Sequence, residues 1–150
     1  MYARILIATD GSDLADRALD HGLQLAKLAG SEVTVVTVTE PATLVGGGYA
    51  TVAGTVIDPL PQLIEAQDKA ARELLGRAAK TAADQGITVK TVLVDNNFPA
   101  EGIVATAVNI GAELIVMGSH GRRGIEKLVL GSVTQRVLGV VKVPVLVVRD

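Results

Sequence analysis

Five short runs of apolar, mostly β-branched residues punctuate the chain, at 3–9 (ARILIAT), 32–38 (EVTVVTV), 88–94 (TVKTVLV), 113–118 (ELIVMG) and 143–148 (VPVLVV). The first and the last two are apolar nearly throughout, as in strands covered on both faces. Between these runs the apolar positions take up a helical period. After Ser12, a residue type that caps helices, Ala15, Leu19, Gly22, Ala26 and Ala29 share one stripe. Asp13, Asp16, Asp20, Gln24 and Lys27 lie opposite, His21 falls at the edge of the polar face, and Gly30 closes the C-terminus. A second helix is expected from Pro59–Pro61 to Gly86, with Leu63, Ala70, Leu74 and Ala78 inward and the pairs Glu65–Lys69, Asp68–Arg72 and Glu73–Arg77 in water. A third follows Pro99 to about Ile110, and a fourth begins at Gly131–Ser132 and reaches about Leu138.

The order βαβαβαβαβ with buried strands predicts an α/β fold, a doubly wound, Rossmann-like parallel sheet with helices on both faces. One segment breaks the rhythm. Residues 40–58 are too long for an ordinary connection and too apolar for a linker, which marks them as a flap after the second strand.

Composition narrows the function. With 49% apolar and 20% charged residues the chain is globular, and 150 residues predict one domain over 1–150. A net charge of −2 and 2% aromatics argue against nucleic acid or anionic lipid as partner. There is no cysteine, and the two histidines, His21 and His120, are far apart, so a transition-metal enzyme is not expected. The start MYARILIATDGS lacks the pattern of a secretory signal, and no apolar run approaches the ~20 residues of a membrane span. A cytoplasmic protein is the expectation.

In open α/β sheets ligands bind beyond the carboxyl ends of the strands. The richest segment there is GSHGRRGIEKLVLGS, from Gly118 to Ser132, with four glycines and three basic side chains. Gly118 and Gly121 are expected to turn the backbone and present N–H groups as an anion-binding concavity. Gly131 and Ser132 open a helix whose N-terminus suits phosphate, and Arg122 and Arg123 either clamp that phosphate or stay solvated. Neither a P-loop nor a G-x-G-x-x-G dinucleotide motif is present. Asp10 is either a helix cap or a carboxylate for Mg²⁺ held jointly with phosphates. His120 has no evident carboxylate or Ser partner, so it reads as a loop residue lining the ligand. Ser132 reads as cap plus phosphate contact more readily than as a nucleophile.

The spacing Gly118-x2-Gly121-x9-Gly131-Ser132 resembles the nucleotide-binding signature of the ATP-binding branch of the universal stress protein family. ILIATDGS, GAELIVMGSHGRRG and VPVLVVR are similar to that family's first strand, fourth strand and closing strand, so the likeness spans the chain. It implies a five-stranded sheet in order 3-2-1-4-5 and ATP or another adenine nucleotide in the crevice between strands one and four. Adenine is then expected near the Val38 backbone and Ala8, and Asp10 near the ribose or a phosphate-bound metal. Gly118, His120 and Gly121 would border ribose and phosphates, with Gly131, Ser132 and Val133 at the phosphate tail. The family also implies a homodimer paired through Val143–Val148 and a nucleotide-dependent regulatory role in stress survival. A slow ATPase or nucleotidyl-transfer enzyme, and a nucleotide-free interaction or chaperone-like dimer, are the alternatives. One departure is Asn97-Phe98-Pro99, where members commonly have Gly two residues before the proline; Asn is expected to take over the left-handed turn.

Overall fold

The computed structural model describes residues 1–45, 50–121 and 129–149. The chain runs β1 (Arg4–Ala8), α1 (Asp13–Ala29), β2 (Glu32–Val38), α2 (Ala42–Val45), β3 (Ala50–Val52), β4 (Thr55–Ile57), α3 (Leu60–Asp84), β5 (Val89–Val94), α4 (Pro99–Ile110), β6 (Leu114–Gly118), α5 (Ser132–Val140) and β7 (Val145–Val148). Five strands form one sheet in the order β5-β2-β1-β6-β7, every pair parallel. Counted within this sheet alone, that is the order 3-2-1-4-5. The 40–58 segment holds more than a flap: α2 and an antiparallel hairpin of β3 and β4, which turns through Ala53 and Gly54 at positive φ.

Alternation along the strands builds two cores, because successive side chains point to opposite faces. Ile5, Ile7, Val33, Val35, Leu114 and Val116 pack against Leu14, Leu19 and Leu23 of α1 and Leu75, Ala78 and Ala82 of α3. Leu6, Ala8, Val36, Ile115 and Met117 pack against Ala100, Ile103 and Ala107 of α4 and Val137 of α5. No helix among the described residues is long and apolar enough to cross a membrane.

The expected stripe of α1 holds except at its end, where Ala29 is exposed. Ser12 is its N-cap, accepting from the Ala15 N–H at 3.2 Å, and Gly30 closes it at φ 66°. Ser12→Ala is expected to cost about 1 kcal/mol, the usual worth of such a cap, read as a lower urea midpoint with unchanged slope. The stripe of α3 is shifted from the expected one. Ala71, Leu74, Leu75, Ala78 and Ala82 are buried, whereas Ala70 is exposed and Leu63 only half-buried. The reason is length. At 25 residues α3 extends roughly 37 Å, against about 20 Å for a six-residue strand, so its first turns stand above the sheet. His21 is exposed, as its place on α1 suggests.

The turn before α4 also differs from expectation. Asn96, not Asn97, takes the left-handed conformation, at φ 51°. The Asn97 side chain instead accepts from the Phe98 N–H at 2.8 Å, holding the chain extended into Pro99.

Candidate functional site

Both neighbours of β1 outrun it. Its pairing ends at Ala8 opposite Val36 on one side and at Ile7 opposite Val116 on the other, while β2 continues to Val38 and β6 to Gly118. The backbone alternation of parallel strands then decides what faces the space above β1. Thr39 donates to the Val94 carbonyl at 2.9 Å, toward β5, so the N–H and C=O of Val38 turn the other way, over the end of β1. Ser119 donates to Val148 at 2.8 Å, toward β7, which leaves the Gly118 carbonyl facing the same space from the opposite lip. A cavity of about 490 Å³ fills this space.

Nine of the residues expected at a ligand site line that one cavity: Ala8, Asp10, Val38, Gly118, His120, Gly121, Gly131, Ser132 and Val133. Arg122 and Arg123 lie outside the described residues. So does Gly124.

The glycines are needed for a different reason than the sequence suggested. Gly118, Gly121 and Gly131 all avoid positive φ, so turning is not what demands them. Close approach is. A Cβ on Gly121 would sit 2.5 Å from Asp10 Oδ2, one on Gly131 3.0 Å from His120 Cα, and one on Gly118 3.2 Å from Leu14 Cγ. The Gly131 N–H donates to the Ser119 carbonyl at 2.7 Å, which joins the two ends of the 118–132 segment.

Gly131, rather than Ser132, is the N-cap of α5, with ψ 155°. It has no side chain to cap with, so the N–H groups of the first turn, from Ser132 to Thr134, keep their capacity for a ligand. Ser132 itself is the first helical residue and its side chain is exposed. The helix dipole adds partial positive charge at this end.

Asp10 is not the cap of α1. Its Oδ1 accepts from both the N–H of Ser12 at 3.0 Å and the Ser12 hydroxyl at 2.6 Å, so it braces the capping residue. Oδ2 lies beside Gly121 at the cavity wall. Among the described residues no three His, Asp or Glu side chains gather as a metal group. Mg²⁺ is commonly held by one or two carboxylates together with ligand phosphates, and Asp10 is the carboxylate of this class expected at the site. His120 lines the cavity, and its Nδ1 lies 3.2 Å from the hydroxyl of its buried neighbour in sequence, Ser119.

One wall carries no sequence signal of its own. Gln67, Ala70, Ala71 and Leu74 of α3 line the cavity, with Pro99 and Ile103 of α4 and Met117 of β6. This is where Ala70 goes: its apolar surface faces the cavity mouth and not the core. Periodicity marks such a residue as inward but cannot separate a core from a cavity.

A sequence profile described as the universal stress protein family matches residues 1–149. Universal stress protein YxiE of Bacillus subtilis is 33% identical over 152 residues, covering 99% of this chain and 100% of that protein. Universal stress protein MJ0577 of Methanocaldococcus jannaschii is 31% identical over 99% of this chain and 96% of its own length. Its solved structure superposes with a TM-score of 0.83 at 30% identity, covering 100% of this chain and 97% of that one. A universal stress protein from Archaeoglobus fulgidus solved in complex with dAMP superposes at 0.70, with 26% identity over 99% of this chain and 98% of that one.

Proposed function

The chain belongs to the universal stress protein family, and from that membership we propose that it binds an adenine nucleotide, ATP in the first instance, as a regulatory module. The observation that carries this is one cavity with, on one side, a backbone donor and acceptor at Val38 that no strand pairs among the described residues, and on the other a helix N-terminus without a side-chain cap. Adenine offers an amino donor beside a ring-nitrogen acceptor, which complements a C=O and N–H on one residue. Guanine presents a carbonyl where adenine has its amino group, so the same pair disfavours it. Ala8, Ile103, Leu74 and Met117 give the base apolar walls. The phosphates then reach the first turn of α5, with Gly118, His120 and Gly121 alongside, and Asp10 shares any Mg²⁺ with them. Arg122 and Arg123 are proposed as further phosphate contacts from the sequence alone. The dAMP complex of the Archaeoglobus relative supports the ligand class.

Equilibrium dialysis with ATP, paired with mass analysis of small molecules released from the denatured protein, tests the reading. ATP binding at or below millimolar concentration and weaker competition by GTP are expected. No binding at millimolar ATP overturns it. A rapid ATP turnover that collapses in Asp10→Ala would favour the enzymatic alternative instead.

The proposal includes a homodimer through the closing strand. β7 is a sheet edge, its Leu146 is 38% exposed, and an apolar edge invites a second strand. Leu146→Lys is expected to convert a dimer into a monomer, halving the mass seen by light scattering while leaving ATP binding measurable. An unchanged mass would place the contact elsewhere.

A further inference from the structure

Thr134 is the third residue of α5. Here it is 1% exposed, and its hydroxyl donates to the carbonyl of Gly118 at 3.0 Å. That carbonyl needs a donor because of how the sheet ends. The alternation along β6 turns it toward β1, whose pairing with β6 has already stopped at Ile7 opposite Val116. Among the described residues no strand lies beyond to supply an N–H, and an unsatisfied buried carbonyl is costly. Thr134 supplies the missing bond from the helix instead.

The bond has a second consequence. Two links tie the end of β6 to the start of α5: Gly131 N–H to Ser119 C=O, and Thr134 hydroxyl to Gly118 C=O. The first lies at the cap and the second one turn in, so together they fix both the position and the tilt of the first helical turn. The N–H groups of Ser132 and Val133 lie between them, on residues that line the cavity. Without the second link the first turn is held only by the cap bond and by the packing of Val137 further along the helix. We infer that Thr134 is a positioning residue, whose hydroxyl holds the α5 N-terminus on the phosphate part of the ligand without touching the base. This inference rests on the nucleotide reading above and names one side chain on which its phosphate half depends.

Thr134→Val keeps the branched shape and removes the donor, whereas Thr134→Ser keeps the donor. The measurement is the ratio of ATP to adenosine affinity, by titration calorimetry or competition, beside a thermal melt without ligand. A role confined to folding would lower both affinities together or neither. A positioning role lowers ATP affinity about tenfold in Thr134→Val, the worth of roughly one hydrogen bond, and leaves adenosine affinity within about twofold. Thr134→Ser restores the wild-type ratio. If the valine variant does not fold, Thr134→Ala makes the same comparison, since it leaves room for water at the Gly118 carbonyl. An unchanged ratio in a folded variant overturns the inference and leaves the nucleotide reading standing. Wild-type protein that binds neither ATP nor adenosine overturns both.

Discussion

Protein carrying valine at both Gly121 and Gly131 is expected to lose ATP affinity by at least about a hundredfold, the equivalent of roughly 2.7 kcal/mol. At Gly131 the obstacle is backbone: the new Cβ falls 3.0 Å from His120 Cα and 3.3 Å from the Ser119 carbonyl, which accepts the Gly131 N–H. Relief requires the first turn of α5 to back away, and its N–H groups move with it. At Gly121 the new Cβ falls 2.5 Å from Asp10 Oδ2, while Oδ1 of the same carboxylate is bonded to Ser12. Asp10 can swing aside only by giving up those bonds. Removing two charge-assisted hydrogen bonds to the phosphates, at ~1.5 kcal/mol or more apiece, accounts for the figure. Equilibrium dialysis reads the affinity. The wild-type gain in thermal stability with ATP, about 2.7 kcal/mol at a hundred times the dissociation constant, should fall to about 0.4 kcal/mol or less at the same ATP concentration. A double variant that binds ATP like the wild type would show that nothing in this segment touches the phosphates.

The second large effect concerns the fold. Gly22 lies in the middle of α1, buried against the strands, and a Cβ there would meet Ile7 Cδ1 at 2.6 Å and Val116 Cβ at 3.5 Å. Ile7 is fully buried and has nowhere to retreat. Gly22→Leu is expected to destabilise by about 3 kcal/mol, the upper part of the range for overpacking, despite leucine's better helix propensity. Gly76 in α3 is the control, exposed and with open space around its Cβ position. Gly76→Ala should stabilise by about 0.5–1 kcal/mol through propensity alone. Urea denaturation of both variants separates the two kinds of helical glycine, and equal effects would mean that α1 does not sit as close to β1 as described.

Much of the architecture is legible in the chain itself. Ser12 and Gly30 mark the ends of α1 through their chemistry, and Pro99 and Gly131 mark the starts of α4 and α5. Which surface a residue meets is far less legible. Ala70 lies on the inward stripe of α3 yet faces a cavity, since the helix outruns the sheet there. Ser132 has the chemistry of a cap, but the extended conformation falls one residue earlier, on Gly131. Asp10 braces a cap without being one, a distinction that depends on where the Ser12 hydroxyl points.

The alternation of strand and helix, the parallel sheet, and the glycine-spaced segment that marks the site are all written in the order of residues. These follow from local rules: side-chain period, end-capping chemistry, and the rarity of clustered glycine without cause. Why those glycines are there becomes visible once the chain is folded. None of Gly118, Gly121 and Gly131 turns the chain at positive φ; each makes room for a neighbour that is distant in sequence or across the loop. The structure also decided which backbone groups remain unpaired by strands. β1 stops short of β2 and β6, so Val38 and Gly118 face a space that no strand fills among the described residues, and Thr134 is drawn in to satisfy one of them. No sequence pattern records where a neighbouring strand ends, because that is a property of register between segments far apart in the chain.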